Sequence, residues 1–248
     1  MGFGRLKNTI INVLTPKKVK NYFRQQTINQ YENSLAFSNL SYSQEGEDLI
    51  LNRFFSNKEN GFYVDVGAHH PRRFSNTYSF YKKGWRGINI DALPGSMVAF
   101  NKERPNDINL EIGISKKESE LLYYMFNEPA LNTFSETEAL KKDGLQNYRI
   151  IEKRKVNTYP LKQVLDKHLG KNQNIDFMTI DVEGFDLEVV ESNDWKKYRP
   201  SFLLVEDLNK NSLADLPSKS DLYKFLIIND YILVAKTFNT LFFKDNKK

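Results

Sequence analysis

The chain has 248 residues, room for one domain with a full core or for one domain with an appendage. Apolar residues make up 40% and charged residues 27%, a globular composition, and no apolar run is long enough to cross a bilayer. Cysteine is absent, which removes disulfides, thiol nucleophiles and thiolate metal sites and fits a reducing compartment. The formal charge of +5 is unevenly placed: residues 1–31 hold Arg5, Lys7, Lys17, Lys18, Lys20 and Arg24 and no acid, leaving 30 of the 36 bases against all 31 acids. A neutral remainder argues against a nucleic-acid-binding core.

Residues 1–40 read as a basic helical arm. Phe3, Leu6, Ile10, Val13 and Leu14 fall at near-helical spacing before Pro16. Such a stripe packs on its own globule, docks a partner or lies on an anionic membrane face. It is no signal peptide, because Lys7, Asn8 and Asn12 interrupt the apolar run.

From residue 41 onward strands and helices alternate, which predicts an α/β domain over 41–248 with a mostly parallel sheet covered on both faces. Ser41 to Phe55 reads as a helix opened by a capping box, Ser41-x-x-Gln44. Gly61–Val66 is the first strand. A helix opens at Asn76 and Thr77 and runs toward Lys83, where Gly84 stops it, and the second strand is Gly87–Asp91.

Asn109–Ser115 reads as a third strand and Leu121–Phe126 as a fourth, followed by a polar stretch, 127–155, with the character of an insertion or lid. Pro160–Leu169 is a helix with proline in its first turn and Gly170 at its end. Asp176–Asp181 and Phe202–Val205 are too uniformly apolar for edge strands and read as central ones. A helix around Asp221–Ile228 precedes a terminal hairpin, Tyr231–Lys236 with Leu241–Lys244.

The chemistry gathers at strand ends. Asp65 and Gly67 close the first strand, and Asp91 closes the second. A strand, a turn, a helix and a strand with a terminal acid build a nucleoside pocket in an open parallel sheet, the second acid accepting the ribose hydroxyls. Asp181-Val182-Glu183-Gly184 and Glu206-Asp207 follow two further strands, so four strand ends bear acids on one edge. His69 and His70 follow the first turn as loop residues, bases or metal ligands. His168 belongs to its helix end, and Asp186 reads as a helix cap. A lone Gly67 followed by Ala68-His69-His70-Pro71 obstructs a pyrophosphate, which counts against a dinucleotide.

Taken together, Ser43-Gln44-Glu45-Gly46-Glu47-Asp48, Tyr63-Val64-Asp65-Val66-Gly67-Ala68, His70-Pro71, Phe74-Ser75-Asn76-Thr77, Gly84-Trp85-Arg86-Gly87, Asp91 and Ile180-Asp181-Val182-Glu183-Gly184 resemble the FkbM family of methyltransferases, from about Ser41 to Asp207. The resemblance implies a class I, Rossmann-like fold: a seven-stranded, mostly parallel sheet closed by the antiparallel hairpin. It implies S-adenosylmethionine as methyl donor and a hydroxyl of a sugar, nucleotide-sugar or glycan as acceptor, in surface polysaccharide biosynthesis. By position, Asp65 and Gly67 shape the turn under the methionine part. Gln44 and the Asn76-Thr77 helix start approach its amino and carboxylate groups, Asp91 holds the ribose and Ile112 meets adenine.

Asp181 and Glu183 then face the transferred methyl group. Asp181, Glu183 or His70 serves as base, or the same three with Glu206 hold Mg²⁺ or Mn²⁺. The expected setting is cytoplasmic, with residues 1–31 in contact with the inner membrane face or a partner. A nucleotide-sugar or nicotinamide oxidoreductase, or a non-catalytic docking module, stands as the alternative.

Overall fold

The computed structural model describes residues 17–209 and 211–247, in two compact units, 1–40 and 41–248. In the first unit Lys17–Leu35 is a helix, α1. The stripe from Phe3 to Leu14 lies outside the described residues. Among those described, no helix is long and apolar enough to cross a membrane.

The second unit opens with helix α2 (Glu47–Phe54), not at Ser41. Ser41 and Ser43 donate their hydroxyls to Asp48 Oδ1 at 2.6 and 3.0 Å, and the Tyr42 N–H donates to Oδ2 at 2.9 Å. The expected capping box therefore gives way to a loop folded round one buried carboxylate, because Asp48 offers the hydroxyls a charged acceptor.

Next come β1 (Phe62–Val66), α3 (Tyr78–Lys82), β2 (Arg86–Asp91), α4 (Met97–Glu103) and β3 (Ile108–Glu111). The expected third strand is two: β3 stays in the main sheet and β4 (Gly113–Ile114) leaves it. β5 (Ser119–Phe126) and β6 (Ile150–Tyr159) join β4 in a separate three-stranded sheet, so the fourth expected strand is real but belongs elsewhere. Between β5 and β6, the expected insertion carries a 3₁₀ turn, Pro129–Leu131, and helix α5 (Glu136–Lys142).

The chain then runs α6 (Leu161–His168), β7 (Phe177–Ile180), α7 (Asp186–Glu191), β8 (Phe202–Glu206), α8 (Leu216–Lys219), α9 (Asp221–Ile228), β9 (Tyr231–Lys236) and β10 (Thr240–Asp245). The main sheet has the order β3-β2-β1-β7-β8-β10-β9. Its pairs are parallel from β3 through β8, and β10 runs antiparallel to both β8 and β9. This is the α/β sheet closed by a hairpin that the sequence implied, with a second sheet added.

Alternation along the strands explains both core and site. Val64, Val66, Ile88, Ile90, Met178, Ile180, Leu203 and Val205 share one buried core with α6, α7 and α9. Their sequence neighbours Tyr63, Phe177 and Leu204 turn to the other face and pack with Leu51, Phe80 and Trp85. Burying an aromatic such as Phe177 contributes about 2–3 kcal/mol. Two residues further on, that second face turns polar, with Asp65, Asn89, Thr179 and Glu206 at the carboxyl ends. The strand order reverses between β1 and β7, and in open sheets a crevice lies outside that reversal.

Candidate active site

A cleft lies at this edge, lined by Gln44, Gly67, His69, Phe74, Asp91, Ile112, Tyr123, Asn132, Phe134, Asp181 and Glu183 among others. Its floor is the turn after β1. The Gly67 and Ala68 N–H groups donate to Ile90 O at 2.9 and 3.0 Å, and Asp181 N–H donates to Val66 O at 2.9 Å. Gly67 has φ +85°, and a Cβ there would stand 1.7 Å from the Asp181 carbonyl oxygen. Both the left-handed backbone and the contact demand glycine.

At one end Asp91 accepts from His69 N–H at 2.7 Å on one oxygen and from Leu93 N–H at 2.8 Å on the other. Each oxygen keeps a further lone pair for a ligand hydroxyl. Burial pushes the Asp91 carboxyl up, and the two backbone N–H groups pull it back. Ile112 and Tyr123 supply apolar wall.

Across β1 from Asp91 stand Asp181 and Glu183, just after β7, and Glu206 at the end of β8. Asp181, Glu183 and Glu206 each offer a carboxylate oxygen, all within 4.8 Å of one another. Burial, then the charges of Glu183 and Asp186, push Asp181 well above the usual carboxylate range. Burial, then the charges of Asp181 and Glu183, push Glu206 up to about 12. Burial also raises Glu183, against the pull of Lys142. Lys142 of α5 forms an ion pair with the Glu183 carboxylate, and Thr133 Oγ1 donates to Glu183 O at 2.9 Å. His69, Phe74 and Glu183, all on the cleft wall, hold left-handed backbone at φ +52°, +56° and +57°. Such conformations cluster where a site fixes side chains against local preference.

A smaller polar cavity of about 310 Å³ adjoins the cleft, sharing Gln44, Phe74 and Asp181 and adding Glu45, Glu47, Asn76, Glu206, Asn239 and Thr240. The residues singled out from sequence thus divide. Gln44, Gly67, Asp91, Ile112, Asp181 and Glu183 line the cleft, whereas Asn76 and Glu206 line the smaller cavity. Asp65 and Thr77 line neither, lying beneath the turn where Thr77 Oγ1 donates to Asp65 Oδ2 at 2.7 Å. His70 also lines neither: its Nδ1 accepts from the Arg72 and Arg73 N–H groups, both at 3.0 Å, which ties up that nitrogen in the loop. It stands outside the three-carboxylate set. His69, the other histidine, does reach the cleft, and burial lowers it to about 4, so it is neutral near pH 7. Asp186 is the first residue of α7 and accepts from Val182 and Gly184 N–H at 3.1 and 3.0 Å, holding the loop that carries Glu183.

Sequence reasoning missed Lys142, Phe74 and Arg104. Arg104 is fully buried behind the turn and donates to Thr77 Oγ1 at 2.8 Å, Ser75 Oγ at 2.7 Å and Pro71 O. A lone basic residue after a helix gives no local sign of burial. Arg73 pairs with Glu128 at 2.9 Å through both guanidinium nitrogens, joining the loop after β1 to the 3₁₀ turn of the insertion.

Compared with known proteins, the chain matches the model of the methyltransferase FkbM domain over residues 65–233. No curated protein and no solved structure matches it.

Proposed function

We propose a function on one premise: the chain belongs to the FkbM methyltransferase family. It is an S-adenosylmethionine-dependent O-methyltransferase whose acceptor is a hydroxyl of a sugar, nucleotide-sugar or glycan. The observation that carries this reading is one cleft with Asp91 at one end and Asp181 and Glu183 at the other. S-adenosylmethionine, when bound, supplies an electrophilic methyl carbon on a sulfonium.

The chain's own residues fit that donor. Asp91 keeps lone pairs for ribose hydroxyls, Ile112 and Tyr123 flank the base, Gly67 lets the ligand approach the backbone, and Gln44 meets the amino-acid end. Acids clustered at the far end favour a cationic centre there. Because in-line displacement depends on alignment, these contacts contribute mainly by fixing the geometry. Asp181 and Glu183 are placed to take the acceptor's proton, a contribution of about 10²–10⁴-fold. Phe74, 40% exposed and shared by cleft and cavity, offers a flat apolar face to a sugar ring. Residues 1–31, six bases and no acid, would bring the enzyme, in the cytoplasm, to the anionic inner face of a membrane or to a partner.

Calorimetry with S-adenosylmethionine and S-adenosylhomocysteine tests the reading. Micromolar binding of both, lost in Asp91→Ala, is expected. Folded protein that binds neither removes the reading.

A further inference from the structure

The three acids that follow β7 and end β8 support more than proton transfer. Asp181, Glu183 and Glu206 come from two neighbouring strand ends and place one oxygen each within 4.8 Å of the others. Oxygens bound to one hard divalent cation at about 2.0–2.6 Å are spread over about 3–5 Å. The donors are all oxygens, which suits magnesium or manganese over zinc or copper.

A second observation is independent of that spacing. Glu206 is 8% exposed, and its Oε2 has no hydrogen-bond partner. Asn239 Oδ1 on the hairpin side is likewise buried without one. Both residues line the small cavity together with Asp181. Unpartnered buried acceptors are costly unless something electropositive meets them.

We propose that Asp181, Glu183 and Glu206 bind one Mg²⁺ or Mn²⁺ at the mouth of the small cavity, with Asn239 facing it. Binding itself does not depend on the methyltransferase reading. The cation's role does: it would hold the acceptor oxygen and make the hydroxyl more acidic.

The test uses the full chain, stripped with chelator and titrated with Mn²⁺ while free Mn²⁺ is followed by electron paramagnetic resonance. One Mn²⁺ per chain is expected, displaced by Mg²⁺, and weakened by at least roughly tenfold in Glu206→Gln and in Asp181→Asn. Each variant is checked for fold by circular dichroism, and Glu183→Gln replaces one that fails. Folded wild-type protein that binds no Mn²⁺ at millimolar concentration overturns the site. So do folded variants that bind like wild type. S-adenosylhomocysteine calorimetry in chelator separates the two proposals, since its failure with Mn²⁺ binding intact removes only the methyltransferase reading.

Discussion

The Gly67 Cα and the Asp181 carbonyl oxygen approach so closely that a methyl group on the former would stand 1.7 Å from the latter. Through this contact the turn after β1, which forms the floor of the cleft, is packed directly on the chain that delivers the acids after β7. The position of the turn relative to Asp181 is thus set by one backbone contact.

Gly67→Ala therefore has two faults, a left-handed φ of +85° and a backbone clash. Left-handed strain alone costs about 1–3 kcal/mol, and relieving the clash must separate β1 from β7. The variant is expected to lose S-adenosylhomocysteine binding in calorimetry and to unfold at lower denaturant. Wild-type affinity would show that the turn is more plastic than this contact allows.

Asp91→Asn retains size and loses charge. Hydrogen bonds to an ionised acceptor contribute about 1.5–3 kcal/mol, so S-adenosylhomocysteine affinity should fall by roughly ten- to a hundredfold. Circular dichroism should stay unchanged.

Arg104→Met removes the guanidinium that donates to the Thr77 and Ser75 hydroxyls and to the Pro71 carbonyl. It also removes the positive charge that holds Asp65 down. Breaking such a buried network costs about 3–5 kcal/mol. Urea denaturation measures it, and a loss below about 1 kcal/mol would contradict the network's importance.

Asp65 predicts a pH effect. Burial raises its carboxyl to about 6 from 3.8, against the hydrogen bond from Thr77 and the charge of Arg104. Between those values the folded chain holds a proton that the unfolded chain has released, so this group's contribution to stability falls as pH rises from about 4 to 6. Two pKa units correspond to about 3 kcal/mol. Asp65→Asn should flatten the stability–pH curve in that window and be relatively more stable above it.

Lys142→Gln separates binding from turnover. The residue lies on α5 and pairs with Glu183, and it does not line the cleft. S-adenosylhomocysteine affinity should stay within about twofold while methyl transfer falls by at least about tenfold, with Lys142→Arg restoring part of it. Equal losses in both would assign Lys142 to folding instead.

The parallel sheet, its hairpin and the acids at the strand ends were all legible in local residue patterns. Those strands are buried on both faces, so apolar runs and abrupt terminal carboxylates are written locally in Phe177–Asp181 and Gly87–Asp91. β6 escaped because its run from Glu152 to Lys155 is exposed and charged, leaving no apolar alternation to read. It took the packed fold to establish that β4 and β5 leave the main sheet, that Arg104 lies buried beneath the turn, and that Lys142 meets Glu183 across 41 residues. Period-two and period-three-point-six patterns record which face a residue shows. They do not record which distant side chain meets it there, and that pairing decides the charge and geometry of the site.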